Sequence, residues 1–167
     1  MSVTETAEGR PYVLGPAEGP AYWFLGNLAT VKASGAQTRG RLTVVEFLNP
    51  AGFAPPVHRH LHEDEMFYVL SGTARFQCDS RVFDAGPGDF VLLPVGLAHT
   101  FLVGKDEPLR CLQITTPSGF EDFVAEAGAP ASARHLPEPG PVDPEMLGHA
   151  MVRHGYELLG PPPTVIA

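Results

Sequence analysis

Cysteine is almost missing. The chain has two in 167 residues, Cys78 and Cys111, and neither sits in a metal-type or redox pair. That removes disulfide scaffolds and thiol redox motifs from consideration. Staples are not needed at this length, where a domain buries about two thirds of its unfolded surface. Charge is also sparse: 18% of residues, with 11 Lys and Arg against 19 Asp and Glu, a net −8 and a pI near 5.2. With no basic patch visible, nucleic acid is not an expected partner. Long apolar runs are lacking too. The longest stretch free of Asp, Glu, Lys and Arg, Phe90 to Gly104, has 15 residues. Pro94, Gly96 and His99 interrupt it, and it is too short to cross a bilayer. The opening Met-Ser-Val-Thr-Glu-Thr-Ala-Glu lacks the basic-then-apolar layout of a secretory leader. A soluble cytoplasmic protein is the expectation.

What is present is 44% hydrophobic residues punctuated by 18 glycines and 18 prolines. That composition suits short strands joined by many turns. Residues 1–20 read as an irregular arm. Strands are expected over Tyr22–Val31, Arg41–Leu48, Glu65–Leu70, Thr73–Asp79, Arg81–Asp84, Phe90–Leu93, Ala98–Val103 and Leu109–Thr116. Ser34–Thr38 reads as a turn. Between Thr73 and Asp79 the alternation is clean, with Ala74, Phe76 and Cys78 on one face and polar residues on the other, as in an antiparallel sheet with one buried side. After residue 117 the period changes. Ser118-Gly119-Phe120-Glu121 fits a capping box with Ser118 as N-cap, and Phe120, Phe123, Val124 and Ala127 recur at helical spacing up to Gly128. A Pro-rich stretch follows. Asp143-Pro144 then caps a second helix with Met146, Leu147, Ala150 and Met151 as its apolar stripe, ended by Gly155.

Chemistry concentrates in His58-Arg59-His60-Leu61-His62-Glu63-Asp64-Glu65. In an extended strand His58 and His60 point the same way, and a carboxylate beyond a tight turn can swing back toward them. A further histidine, His99, lies on a separate strand. Three imidazoles and a carboxylate suit a divalent transition ion with positions left open for substrate. A lone His-x-His pair is weak evidence, but its surroundings are specific. Gly52 lies six before His58, Glu65 five after His60 and Gly72 seven after Glu65. The second segment reads Gly88-x5-Pro94-x-Gly96-x2-His99. Both segments resemble the two motifs of the cupin superfamily, G-x5-H-x-H-x3–4-E-x6-G and G-x5-P-x-G-x2-H-x3-N. Val103 stands where the second pattern has Asn, a position that is not usually a ligand.

The resemblance implies an all-β cupin jelly-roll (double-stranded β-helix) barrel over residues 21–117, with C-terminal helices over 118–167 packed outside. It implies His58, His60, Glu65 and His99 as ligands of one divalent transition metal ion (Fe, Mn, Ni, Co, Cu or Zn), a small-molecule substrate and a homodimer. Glu65 is the candidate catalytic carboxylate, near its operating pKa. Phe67, Phe76 and Phe101 are candidate substrate-pocket residues, with core as the plainer reading for Phe76, Phe90 and Phe101. His62 reads as a surface or outer residue and Glu63 and Asp64 as solvated, although whether His62 or Glu63 joins the ligand set stays open. Cys78 reads as a buried apolar residue. The tail Thr116–Phe123 and Ala127–Pro130 is similar to that of bacterial quercetin-dioxygenase-like monocupins, where a G-F-x-x-F helix closes over the barrel. The expected function is a metal-dependent dioxygenase of a flavonol-like or other enolizable aromatic molecule. A non-redox metal-dependent isomerase, cyclase or lyase, or a non-catalytic small-molecule-binding cupin, are the alternatives.

Overall fold

The computed structural model describes residues 9–167, so the first eight residues of the expected arm lie outside it. Residues 9–20 form turns and irregular chain. Twelve strands and three helices follow. They are β1 (Ala21–Phe24), β2 (Asn27–Ala33), α1 (Gly35–Thr38), β3 (Thr43–Asn49), β4 (Val57–His60), β5 (Asp64–Ser71), β6 (Ala74–Cys78), β7 (Arg81–Ala85), β8 (Phe90–Leu93), β9 (His99–Val103), β10 (Leu109–Thr116), α2 (Phe120–Ala127), β11 (Ala129–Pro130), α3 (Pro144–Arg153) and β12 (Tyr156–Gly160). They make two antiparallel sheets, ordered β11-β1-β2-β3-β10-β5-β8 and β12-β4-β9-β6-β7, with no ladder among the described residues joining one sheet to the other. No helix among the described residues is long and apolar enough to span a membrane.

Alternation builds the interior. On β5, Glu65, Phe67 and Val69 are buried, and on β10 Leu109, Cys111, Gln113 and Thr115 are buried. Those faces meet Ala74, Phe76 and Cys78 of β6 and Phe101 and Val103 of β9. Phe67, Phe76 and Phe101 pack ring against ring at 5.3–5.5 Å between centroids. The motif glycine Gly72 has a positive φ of 76°, and a Cβ there would lie 2.4 Å from the Pro108 carbonyl. Only glycine lets the β5–β6 turn approach β10 so closely.

Several sequence expectations need correcting. Tyr22–Val31 is a hairpin of two strands, not one strand, because Leu25 and Gly26 both take positive φ (51° and 81°) and turn the chain tightly. Ser34–Thr38 holds the one-turn helix α1. Ser118 is not the N-cap of α2; Gly119 is. Glu121 cannot complete a capping box with Ser118. Its carboxylate instead accepts from the backbone N–H groups of Gly35 (2.6 Å) and Gly119 (3.0 Å) and from the Thr43 hydroxyl. It thereby ties α2 to α1 and β3. In α3 the cap is as expected, with Asp143 accepting from Glu145 and Met146 N–H. Met146 of the apolar stripe faces out (44% exposed), while Ala150 and Met151 are buried. The last strand, β12, was not foreseen. It pairs with β4, setting Tyr156 opposite His60.

Candidate metal centre

The two sheets contribute unequally to the histidine cluster. His58 and His60 stand two apart on β4, and His99 on β9 is the cross-strand partner of His58. Glu65 comes from β5 in the opposite sheet. The cluster therefore bridges the gap between sheets. One ligand atom from each of the four lies within 4.8 Å of all the others. The ring centroids of His58 and His99 are 4.5 Å apart, and His60 lies 5.1–5.2 Å from both.

Outer contacts aim these groups. The Nδ1 atoms of His58 and His99 donate to the carbonyls of Pro56 (2.7 Å) and Leu97 (2.9 Å). A carbonyl only accepts, so those protons sit on Nδ1 and the Nε2 lone pairs face the cluster. Gln113 donates to Glu65 Oε1 at 2.5 Å. The other oxygen, Oε2, lies 3.1 Å from His99 Nε2 without being aligned for a hydrogen bond. His60 Nδ1 is likewise 3.0 Å from Glu63 Oε1 without alignment. His99 Nε2, buried and unpaired inside the cluster beside the Glu65 carboxylate, is what a cation-binding donor set presents. The residues fit a divalent ion.

Electrostatics agree with that geometry. Burial and the neighbouring His99 and His60 push the His58 imidazole down to about 4, so it is a neutral donor at pH 7. For Glu65, burial opposes ionisation, but His60, His99 and His58 outweigh it and hold the carboxyl down at about 2. This corrects the expectation of a carboxylate near its operating pKa: Glu65 is ionised throughout the neutral range. At His60 burial disfavours the proton, while Glu65 and Glu63 together carry the imidazole above its ordinary value.

The neighbours sort cleanly. His62 is exposed. Glu63 is not solvated: it is 6% exposed and accepts from the Tyr156 hydroxyl at 2.7 Å. Burial and Glu63 together push the Tyr156 phenol far up. Asp64 is half-buried and accepts from Val95 N–H. Cys78 is buried, and the Cys111 thiol is pushed up to about 12 by burial and Glu65. His154 bonds Glu126 on the surface of α2. Reading the sequence missed Tyr156, Gln113 and the burial of Glu63. Gln113 had a signal, being a polar residue on the inward parity of Leu109-x-Cys111-x-Gln113. Tyr156 had none, since only a pairing across 96 residues places it beside His60.

His58, His60 and Glu65 open onto a cavity of about 70 Å³, room for roughly two waters. Phe67 and Phe101 line it; Phe76 does not, being sealed behind them with no exposed surface. Phe90 is neither core nor lining and is 58% exposed. Phe120 and Phe123 of α2 and Leu147 and Met151 of α3 close the wall, so both helices cover the mouth.

Two face-to-face sheets carry a His/Glu cluster that could hold a metal ion and that opens onto an apolar cavity. Residues 44–115 match the cupin domain family, and the fold is that of the cupins. The chain is 28% identical over 158 residues, 94% of its own length, to the quercetin 2,3-dioxygenase of Bacillus subtilis, and spans 45% of that enzyme. Among solved structures it resembles a predicted oxalate decarboxylase from Thermotoga maritima, with a TM-score of 0.57 and 18% identity over 64% of this chain and 99% of that one. It also resembles KdgF from Halomonas sp., with a TM-score of 0.52 and 16% identity over 66% and 90% of the two chains.

Proposed function

We propose that this protein is a metal-dependent dioxygenase acting on a flavonol-like or other enolizable aromatic small molecule. The carrying observation is the cavity wall. It is aromatic and aliphatic, with Phe67 and Phe101 beside the cluster, and neither Lys nor Arg lines it. A substrate recognised by phosphate or several carboxylates needs cations that this wall lacks. An aromatic enol needs ring faces and one polar anchor, which are present. The identity to the Bacillus subtilis quercetin 2,3-dioxygenase supports the same reading.

His58, His60, Glu65 and His99 would hold the ion. A divalent transition ion, when bound there, would supply Lewis acidity and redox chemistry. Glu65 receives the substrate's hydroxyl proton. With its carboxyl held near 2 it is a weak proton acceptor, which suits it to an acidic, enolic hydroxyl. Gln113 keeps Oε1 occupied, so Oε2 is the oxygen left for the task. Phe67 and Phe101 orient the ring. Leu147 and Met151 exclude water, and at about 70 Å³ a fused ring system enters only as they move aside.

Oxygen uptake with quercetin, after loading with Fe, Mn, Ni, Co or Cu in turn, tests the proposal. Uptake matching quercetin loss is the expected result. Turnover that persists without oxygen would overturn it in favour of an isomerase or lyase. Binding with no product under any metal would overturn it in favour of a binding module.

A further inference from the structure

Beyond the cluster, and Tyr156 with its hydroxyl committed to Glu63, the polar side chains of the cavity wall are all carboxamides. They belong to Asn27, Asn49 and Gln113, each 5% exposed or less. A buried amide normally uses its hydrogen-bonding groups, so any left over need an account. The partners fix which way each amide points. Asn27 Nδ2 lies 3.0 Å from the Phe24 carbonyl and 3.2 Å from that of Leu25, and carbonyls only accept. Asn27 Oδ1 is thereby turned to Asn49, whose Nδ2 donates to it at 2.8 Å. The Cys111 thiol donates to Asn49 Oδ1 at 3.9 Å. Asn27 is spent on the β1–β2 turn, but the second N–H of Asn49 has no partner among the described residues. Gln113 gives its nitrogen to the Glu65 carboxylate, so its oxygen is the free atom. That oxygen has no partner among the described residues and is not sealed, so it opens on the cavity.

We propose, on the dioxygenase reading above, that Asn49 is a specificity-determining residue that donates its free N–H to a hydroxyl at the end of the substrate away from the ion. The substrate class narrows accordingly to an extended aromatic with a neutral hydroxyl on a distal ring. A carboxamide carries no charge, and its N–H suits a hydroxyl or carbonyl oxygen. Extension follows from the register. Asn49 stands opposite Leu109, four residues along β10 from Gln113, about 13 Å at the rise of a strand. Gln113 sits at the end held beside Glu65, and Asn49 marks the other. A ligand touching both is longer than a single ring. One that fills the cavity without a distal hydroxyl strips the water from Asn49 and leaves its N–H unpaired, which is how a polar group in an apolar wall discriminates.

Calorimetry on the zinc-loaded full chain tests this, because zinc permits binding without redox turnover. Quercetin carries hydroxyls on both outer benzene rings, and 3-hydroxyflavone has the same skeleton without them. The wild type should bind quercetin about tenfold more tightly. Asn49→Leu should bring that ratio to about one, a change that general damage to the fold, weakening both ligands alike, does not produce. A variant that keeps the preference overturns the assignment. So does a wild type that binds the two equally, a comparison that stands even where the variant fails to fold. Equal binding with oxygen uptake on both flavonols under a redox-active metal overturns the role of Asn49 and leaves the dioxygenase reading in place. Binding of neither flavonol overturns both.

Discussion

Replacing Tyr156 by Phe removes one oxygen and keeps the ring. That ring packs 4.5 Å from His60 and 4.8 Å from Phe123, so the aromatic contacts survive. What is lost is the donor to Glu63 Oε1 at 2.7 Å. Glu63 is buried, and among the described residues this is its aligned hydrogen bond, the 3.0 Å approach of His60 Nδ1 being off-axis. A hydrogen bond to a buried carboxylate contributes about 1.5–3 kcal/mol. For a chain of this size that corresponds to a melting point lower by about 3–12 °C. Melts of the metal-free protein at pH 7 read the loss directly. Glu63 also steadies His60, so zinc affinity measured by calorimetry should fall by about tenfold. A melting point within about 1 °C of wild type, with unchanged zinc affinity, would refute the reasoning: Glu63 would then need no donor, and its place beside His60 would be incidental.

His99→Ala should abolish bound metal in elemental analysis while circular dichroism still reports a folded barrel; retained metal would mean the four side chains do not share an ion. The metal-free protein should lose up to about 3 kcal/mol as pH falls from about 6.5 to about 4. Across that window the unfolded chain protonates His58 and the folded one, with its imidazole near 4, does not. His60, raised in the folded state, is protonated in both states there and adds no slope, and Glu65 adds its own loss only below about pH 4.5. Urea titrations at several pH values check this. Glu121→Ala takes the carboxylate acceptor from Gly35 N–H and the Thr43 hydroxyl, and leaves Gly119 N–H only Thr43 Oγ1; it should cost about 1–3 kcal/mol in the same assay.

Most of the barrel was legible because its strands alternate. Ala74, Phe76 and Cys78 point inward as their spacing requires, and the two motif segments bring His58, His60, Glu65 and His99 together. What stayed hidden depended on partners distant in sequence. Glu121 had a plausible local role with Ser118, and the fold gave it two distant donors, Gly35 N–H and the Thr43 hydroxyl, besides Gly119 N–H nearby. Glu63 sat in an acidic run that reads as solvated until Tyr156 arrives from β12. That strand follows a helix, and Tyr-Glu-Leu-Leu-Gly has no clean period. Phe76 and Phe90 share an aromatic character that says nothing of depth. One is sealed in the core, and the other lies on the uncovered face.

Because three imidazoles belong to one sheet and the carboxylate to the other, an ion held by all four would work as a rivet across a seam that no backbone ladder stitches. Stripping the ion out would leave the far end clamped by its phenylalanines and let the rim breathe. Loss of the ion would thus register first as faster opening of β4 and β5, well before the molecule comes apart.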